Sequence, residues 1–326
     1  MKRGVGLFPT ADIGAMRQLT RQAEDLGYAN AWYGDSPNIW REGYVSMAAC
    51  AVGTERIIIG TGVTNPVTRH PSVMASTWAT LAEWLPGRVA LGIGVGDSAL
   101  QTMGRKPTTL ARLEQWVANF RKLLAGEEAV EEQSGKPFHL AFPTPGKVPV
   151  YIGASAPKIL RLAGRIADGV IMLVGTDPLF IEAGLRTVEE GAREADRSLA
   201  DIDVVLWTPT SILDDRSAAR AVVKAHVARI VIRPLPTDLP PDEMAHVDRI
   251  RKEYDYYQHM VNVADHGSVV PDSLVDHFAL AGTPEECADQ LSRIAQTGVN
   301  QVAIVPFVPP GDTRARVIDA FANLAS

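Results

Sequence analysis

Short apolar runs and segments with helical spacing alternate eight times along this chain, and no other feature limits the possible folds as strongly. The runs Val5–Phe8, Ala29–Tyr33, Ile57–Gly60, Val89–Ile93, Val148–Ile152, Gly169–Val174, Val204–Pro209 and Val302–Val305 read as strands. They are continuously apolar rather than alternating, as in parallel strands covered on both faces. Between them the spacing predicts helices. Met16, Leu19, Ala23 and Leu26 share one face of the first, and Leu110, Leu113, Val117, Phe120 and Leu124 one face of the fourth. Further helices are predicted over about 44–52, 72–85, 156–166, 178–195, 216–231, 283–298 and 313–324, and Thr283 with Glu286 forms a capping-box pattern. Eight strand–helix units with right-handed crossovers favour a closed (β/α)8 barrel, with an open doubly wound sheet as the alternative.

The chain has 326 residues, 46% of them hydrophobic, enough for one such barrel with insertions. Two stretches interrupt the rhythm. One is polar, about 126–147. The other, about 233–271, is expected to be partly helical around 243–263, and Tyr254, Tyr256, Tyr257 and His259 give it aromatic rings with polar tips. One domain over 1–326 is therefore expected. The net charge of −6, without blocks of like charge, offers no footprint for nucleic acid or an anionic membrane, and no apolar run is long enough to span a bilayer. Cys50 and Cys287 stand apart in apolar or helical contexts, which suggests buried thiols and a reducing cytoplasm. The seven histidines are scattered without metal-ligand spacing, so no metal site is expected.

In a barrel of this kind chemistry collects at the carboxyl ends of the strands. Those ends are rich in glycine and small hydroxyls: Asp35-Ser36, Gly60-Thr61-Gly62-Val63-Thr64-Asn65, Gly92-Ile93-Gly94-Val95-Gly96-Asp97-Ser98, Gly153-Ala154-Ser155-Ala156 and Gly175-Thr176. Such a rim suits a large, planar, phosphate-bearing ligand that touches main chain. Ser155 is placed to cap the following helix with Pro157 in its first turn, and that helix start is a candidate anion site. Each feature alone also fits an ordinary turn or cap. The glycines of 92–96 lack the spacing of a dinucleotide fingerprint. Trp40 and Tyr44 are candidates for an apolar wall, and Arg233 and His266 for contacts to an anionic substrate. His70 reads as a structural helix-start residue, and Trp78 and Trp84 as core or subunit-contact residues.

Taken together, Asp35-Ser-Pro37, the run from Gly60 to Pro71, the run from Pro86 to Ser98, Val150–Ser155, Ala167-Asp-Gly-Val170 and Gly282–Glu286 resemble the luciferase-like superfamily of flavin monooxygenases and F420-dependent oxidoreductases. The resemblance spans nearly the whole chain and is strongest to the methylenetetrahydromethanopterin reductase branch. It implies a bulge after strand three with a non-prolyl cis peptide at Gly62-Val63. It further implies that Thr61, Gly62, Val63 and Thr64 contact a flavin-type ring and that Gly94, Val95, Gly96, Asp97 and Ser98 line its polar side. Gly153, Ala154, Ser155 and Ala156, with Gly175 and Thr176, would hold the phosphate, and Asp35 and Ser36 would stand near the reactive ring. Many relatives carry histidine where this chain has Ser36, and its absence favours hydride transfer with F420. Strand one also lacks the carboxylate that members of the reductase branch tend to carry. The expected activity is an F420-dependent oxidoreductase acting on a small organic substrate, in a homodimer or higher homo-oligomer. The alternatives are a two-component monooxygenase fed reduced FMN by a partner flavin reductase, and a non-catalytic flavin-binding barrel.

Overall fold

In the computed structural model, residues 1–131, 134–142, 144, 147–253 and 269–324 are described. The order is β1 (Lys2–Leu7), α1 (Ile13–Asp25), β2 (Asn30–Tyr33), α2 (Gly43–Ala51), β3 (Ile58–Thr61), α3 (Pro71–Trp84), β4 (Val89–Ile93), a one-turn α4 (Ser98–Gln101) and α5 (Leu110–Leu124). A small antiparallel pair, β5 (Ala129–Val130) and β6 (Pro137–Phe138), precedes β7 (Val150–Ala154), α6 (Pro157–Ile166), β8 (Gly169–Met172), α7 (Pro178–Arg193) and β9 (Asp203–Ile212). The chain continues through α8 (Arg216–Ala221), α9 (Lys224–Val231), α10 (Pro241–Glu253), α11 (Asp272–Phe278) and β10 (Leu280–Gly282). It then runs through α12 (Pro284–Ala295), β11 (Gln301–Pro306) and α13 (Arg314–Ala322).

Eight strands close a parallel barrel in the order β9-β11-β1-β2-β3-β4-β7-β8, with β8 pairing back to β9. All eight runs picked out by their apolar character are barrel strands. Every residue of β2, β4 and β11 is buried, which is why those runs show no alternation. The helices turn their apolar stripes inward: Met16, Leu19 and Ala23 of α1 are buried, and Asp12 caps it by accepting the Ala15 N–H at 3.0 Å. The Glu24 carboxylate, near the end of α1, accepts the N–H groups of Glu55, Arg56 and Ile57 and so fixes the entry of β3. At the amino-terminal end of the barrel Trp32 Nε1 donates to Gln301 Oε1 (3.0 Å), whose amide donates to Asn30 Oδ1 (2.7 Å). That polar plug leaves the opposite end as the open one.

Several expectations need correction. β10 was not foreseen: three residues carry no period, yet they pair with the far half of β9, Leu280 opposite Thr210 and Gly282 opposite Ile212. The single helix expected over 216–231 is two, α8 and α9, because one apolar periodicity runs through both and hides the break at Val222–Val223. α4 is likewise too short to be seen in sequence. The helix expected around 243–263 begins earlier, at Pro241; residues 254–268, with Tyr254, Tyr256, Tyr257, His259 and the candidate His266, lie outside the described residues. Thr283 and Glu286 do form the reciprocal capping box on α12. Cys50 and Cys287 are buried free thiols.

Candidate active site

A cavity of about 370 Å³ opens at the carboxyl ends of the strands, a size suited to a cofactor ring with a small substrate. Its floor follows β3 and β4. The Gly62–Val63 peptide is cis, and Gly62, Val63, Thr64 and Asn65 all line the cavity. The bulge is held by main chain: the Thr64 N–H donates to Gly92 O and the Gly94 N–H donates to Thr64 O, both at 2.9 Å. Val63 sits between two glycines. A Cβ on Gly153 would lie 3.0 Å from Val63 Cγ1, and one on Gly94 3.3 Å from Val63 Cγ2, so any larger residue at either position would press on it. Asn65 Oδ1 accepts the N–H groups of Val67 and Thr68 and turns the chain out of the bulge.

The polar side is built by β2 and β4. Asp35 is 3% exposed, and its Oδ2 accepts the Thr64 hydroxyl and Arg69 Nη1, each at 2.6 Å. The Ser36 and Ser98 hydroxyls, both buried, share a 2.9 Å hydrogen bond. Asp97 Oδ2 receives the guanidinium of Arg229 at 3.3 Å and that of Arg233, which brings α9 and the segment behind it onto the rim. Phe8 and Trp40 stack with ring centroids 4.4 Å apart, and Trp207 of β9 tilts against Phe8. These rings, with Ile159, Ile171 and Leu173, give the cavity its apolar lining.

Gly153, Ala154, Ser155 and Ala156 approach from β7 at the start of α6. Here one expectation is corrected: the capping position belongs to Ala156, not Ser155, so no side chain caps α6. Pro157 does occupy its first position. The helix therefore starts beside the cavity with no side-chain acceptor on its first turn, and free N–H groups at a helix start favour anions.

Most of the residues singled out in the sequence converge on this cavity: Asp35, Ser36, Trp40, Gly62 to Thr64, Gly94 to Ser98, Gly153 to Ala156 and Arg233. Four do not. Thr61 is fully buried behind the wall, where its hydroxyl donates to Gly92 O (2.7 Å) and accepts the Gly92 N–H (3.0 Å), tying β3 to β4. Thr176 is fully buried, its hydroxyl within hydrogen-bond distance of His277 O, Ala279 O and the Gln290 amide. Gly175, with φ +104°, packs against His277 O, which a Cβ would meet at 2.6 Å. Both serve the junction with α11 and its C-cap residue Ala279, an element the sequence reading lacked. Tyr44 lies behind Asp35, under the Arg69 guanidinium (4.4 Å to the ring centroid) and edge-on to Trp78; burial pushes its hydroxyl pKa well up.

Sequence reasoning missed Phe8, Trp207, Arg69 and Arg229. The first two were within reach, since Phe8 ends the first apolar run and Trp207 lies in the seventh. Arg69 and Arg229 have no local signal, because the role of each depends on which distant element it meets. His70, as expected, is structural: it caps α3 through Ser72 and meets Glu131 at 2.7 Å.

Comparisons with known proteins agree with the barrel fold. The luciferase-like monooxygenase family profile matches residues 2–301. The chain is 30% identical over 327 residues to a 5,10-methylenetetrahydromethanopterin reductase from Methanolobus tindarius, covering 97% of each protein. It is 36% identical over 214 residues to an F420-dependent glucose-6-phosphate dehydrogenase from Microbacterium testaceum, covering 60% of this chain and 64% of the relative. Among solved structures, the coenzyme F420-dependent tetrahydromethanopterin reductase from Methanopyrus kandleri superposes with a TM-score of 0.81 at 27% identity, over 99% of this chain and 98% of that one. With the profile spanning nearly its full length, the chain belongs to the luciferase-like monooxygenase family.

Proposed function

We propose that this protein is an oxidoreductase that transfers a hydride between coenzyme F420 and a small organic substrate at the barrel mouth. The observation that carries the reading is full-length similarity to F420-dependent reductases combined with a cavity whose floor is Val63 bracketed by Gly94 and Gly153.

The residues present fit such a cofactor. The bulge and its glycines give a surface of main chain and one branched side chain, against which a planar ring can lie. The uncapped start of α6, with Ser155 beside it, matches a phosphate group in the sign of its charge. When bound, F420 supplies the redox chemistry, and the protein positions the reacting groups and excludes water. Phe8, Trp40 and Trp207 contribute the exclusion. Asp35 contributes a fixed carboxylate already engaged by Thr64 and Arg69. Ser36, bonded to Ser98, contributes hydroxyls rather than an imidazole, so no group at that position exchanges a proton near neutral pH. Arg233 and Arg229, with Asp97, stand where a substrate enters. The exposed apolar residues Val45 and Val52 on or beside α2, and Val73 and Trp84 on α3, support self-association.

A second reading, oxygen insertion with reduced FMN delivered by a partner reductase, draws support from the family's own description. Titration of the purified protein with F420 and with FMN, followed by absorbance and by oxygen uptake, separates the two. Saturable F420 binding without oxygen consumption is expected. FMN binding with oxygen consumption, and no F420 binding, overturns the proposal.

A further inference from the structure

Arg69 does not line the cavity, yet it reaches two carboxylates, Asp35, which lines it, and Glu42, which does not. Nη1 donates to Asp35 Oδ2 at 2.6 Å and Nη2 to Glu42 Oε1 at 2.5 Å. The Asp35 side chain is 1% exposed, that of Arg69 19% and that of Glu42 42%, so the Asp35 arm is the one shielded from solvent. The guanidinium is fixed from other directions too. Its plane sits over Tyr44, its own main-chain carbonyl accepts Trp116 Nε1 at 3.3 Å, and Glu42 is held by capping α2 through the Val45 N–H. Asp35 passes the constraint on, because the same Oδ2 that takes Arg69 takes the Thr64 hydroxyl. Thr64 is the residue after the Gly62–Val63 bond, and its main chain bonds in both directions to β4.

We propose that Arg69 is a positioning residue for the reaction: acting through Asp35, it fixes Thr64 and thereby the bulge that forms the cavity floor. This rests on the reading of the cavity as the F420 site. Removing the guanidinium leaves a buried carboxylate facing a hydroxyl with no cation, and the Asp35–Thr64 bond loses the charge that orients it. Lysine restores a point charge but not the fork that serves two carboxylates at once.

The test compares wild type with Arg69→Met, Arg69→Lys, Glu42→Gln, Asp35→Asn and the Arg69→Met/Asp35→Asn double variant. F420 dissociation constants and melting temperatures are measured, together with amide hydrogen exchange in the cofactor-free protein. R69M is expected to weaken F420 binding roughly ten- to a hundredfold and to speed exchange at the Thr64 and Gly94 amides, with β1–β2 amides unchanged. R69K recovers part of the affinity, E42Q leaves it within about threefold, and the double variant is no worse than the poorer single one. A lower melting temperature for R69M with unchanged affinity and unchanged exchange at Thr64 and Gly94 makes Arg69 merely structural and overturns the proposal. So does additivity of R69M and D35N. The exchange measurement needs no cofactor: if wild type fails to bind F420, the reading of the site falls, while the role of Arg69 in holding the bulge is still decided.

Discussion

Gly153-Ala-Ser155 and Gly175-Thr176 look alike in sequence: each follows an apolar strand with a glycine and a small hydroxyl. The structure uses them in opposite ways. The first pair lines the cavity at the start of an uncapped helix. The second does not line the cavity: α11, Ala279 after it and Gln290 of α12 pack on it, with Thr176 bonded to main-chain carbonyls and Gly175 in a left-handed conformation against His277 O. What separates them is the neighbour. Behind β7 the chain goes straight into α6, whereas behind β8 a later segment packs onto the loop and takes up its polar groups. Glycine and hydroxyl content marks where backbone approaches something closely, without saying whether the partner is a ligand or the protein itself.

The largest way to sharpen this contrast is Gly62→Val. A Cβ there would come within 2.8–2.9 Å of the Trp207 ring and 2.9 Å of Trp32 Cβ, so the floor must shift. F420 affinity should fall by more than about tenfold, given an overpacking cost of about 1–3 kcal/mol, while far-ultraviolet circular dichroism stays that of a barrel. Retained affinity would mean that the floor does not contact the ring.

At the other strand end the opposite result is expected. Gly175→Ala must strain φ and push on His277 O, and Thr176→Val leaves buried carbonyls without their donor, each costing about 1–3 kcal/mol of stability. Thermal unfolding should move down by several degrees for either variant, with F420 affinity of the folded protein within about twofold. Loss of affinity at unchanged stability would return both residues to the phosphate site.

How far the sequence reached follows from the same contrast. The barrel strands were legible because parallel strands buried on both faces leave uninterrupted apolar runs. The cavity was legible where its residues sit at the ends of those runs, from Asp35 to Ala156. It was illegible where a residue's role is set by long-range docking: Arg69 bridges to Asp35 and Glu42, Arg229 arrives with α9, and Thr176 is claimed by His277 and Ala279. Chain-local pattern carries no record of such partners. Strand β10, at three residues, had no period to read.

A smaller effect concerns the junction packed on Gly175-Thr176. His277 Nδ1 meets Asp177 Oδ2 at 2.7 Å and Nε2 lies 3.3 Å from Glu243 Oε2 of α10. The Asp177 hydrogen bond, followed by the charge of Glu243, raises the His277 pKa, and the His277 hydrogen bond lowers that of Asp177. The histidine's contribution is thus fully present below its unfolded pKa of about 6.5 and lost as pH rises through its higher folded value. The aspartate's is present above its unfolded pKa of about 3.9 and lost as pH falls through its lower folded value. His277→Gln should flatten the decline in melting temperature on the alkaline side of about pH 6.5, by a few degrees at most. An unchanged pH profile would show that this contact does not secure α10 and α11.

The most direct test of the central claim is a hydrogen-exchange footprint of bound F420. Protection is predicted at the amides of 62–65, 94–98 and 153–156, with none gained at 175–177. Protection at 175–177 without protection at 62–65 would contradict the account.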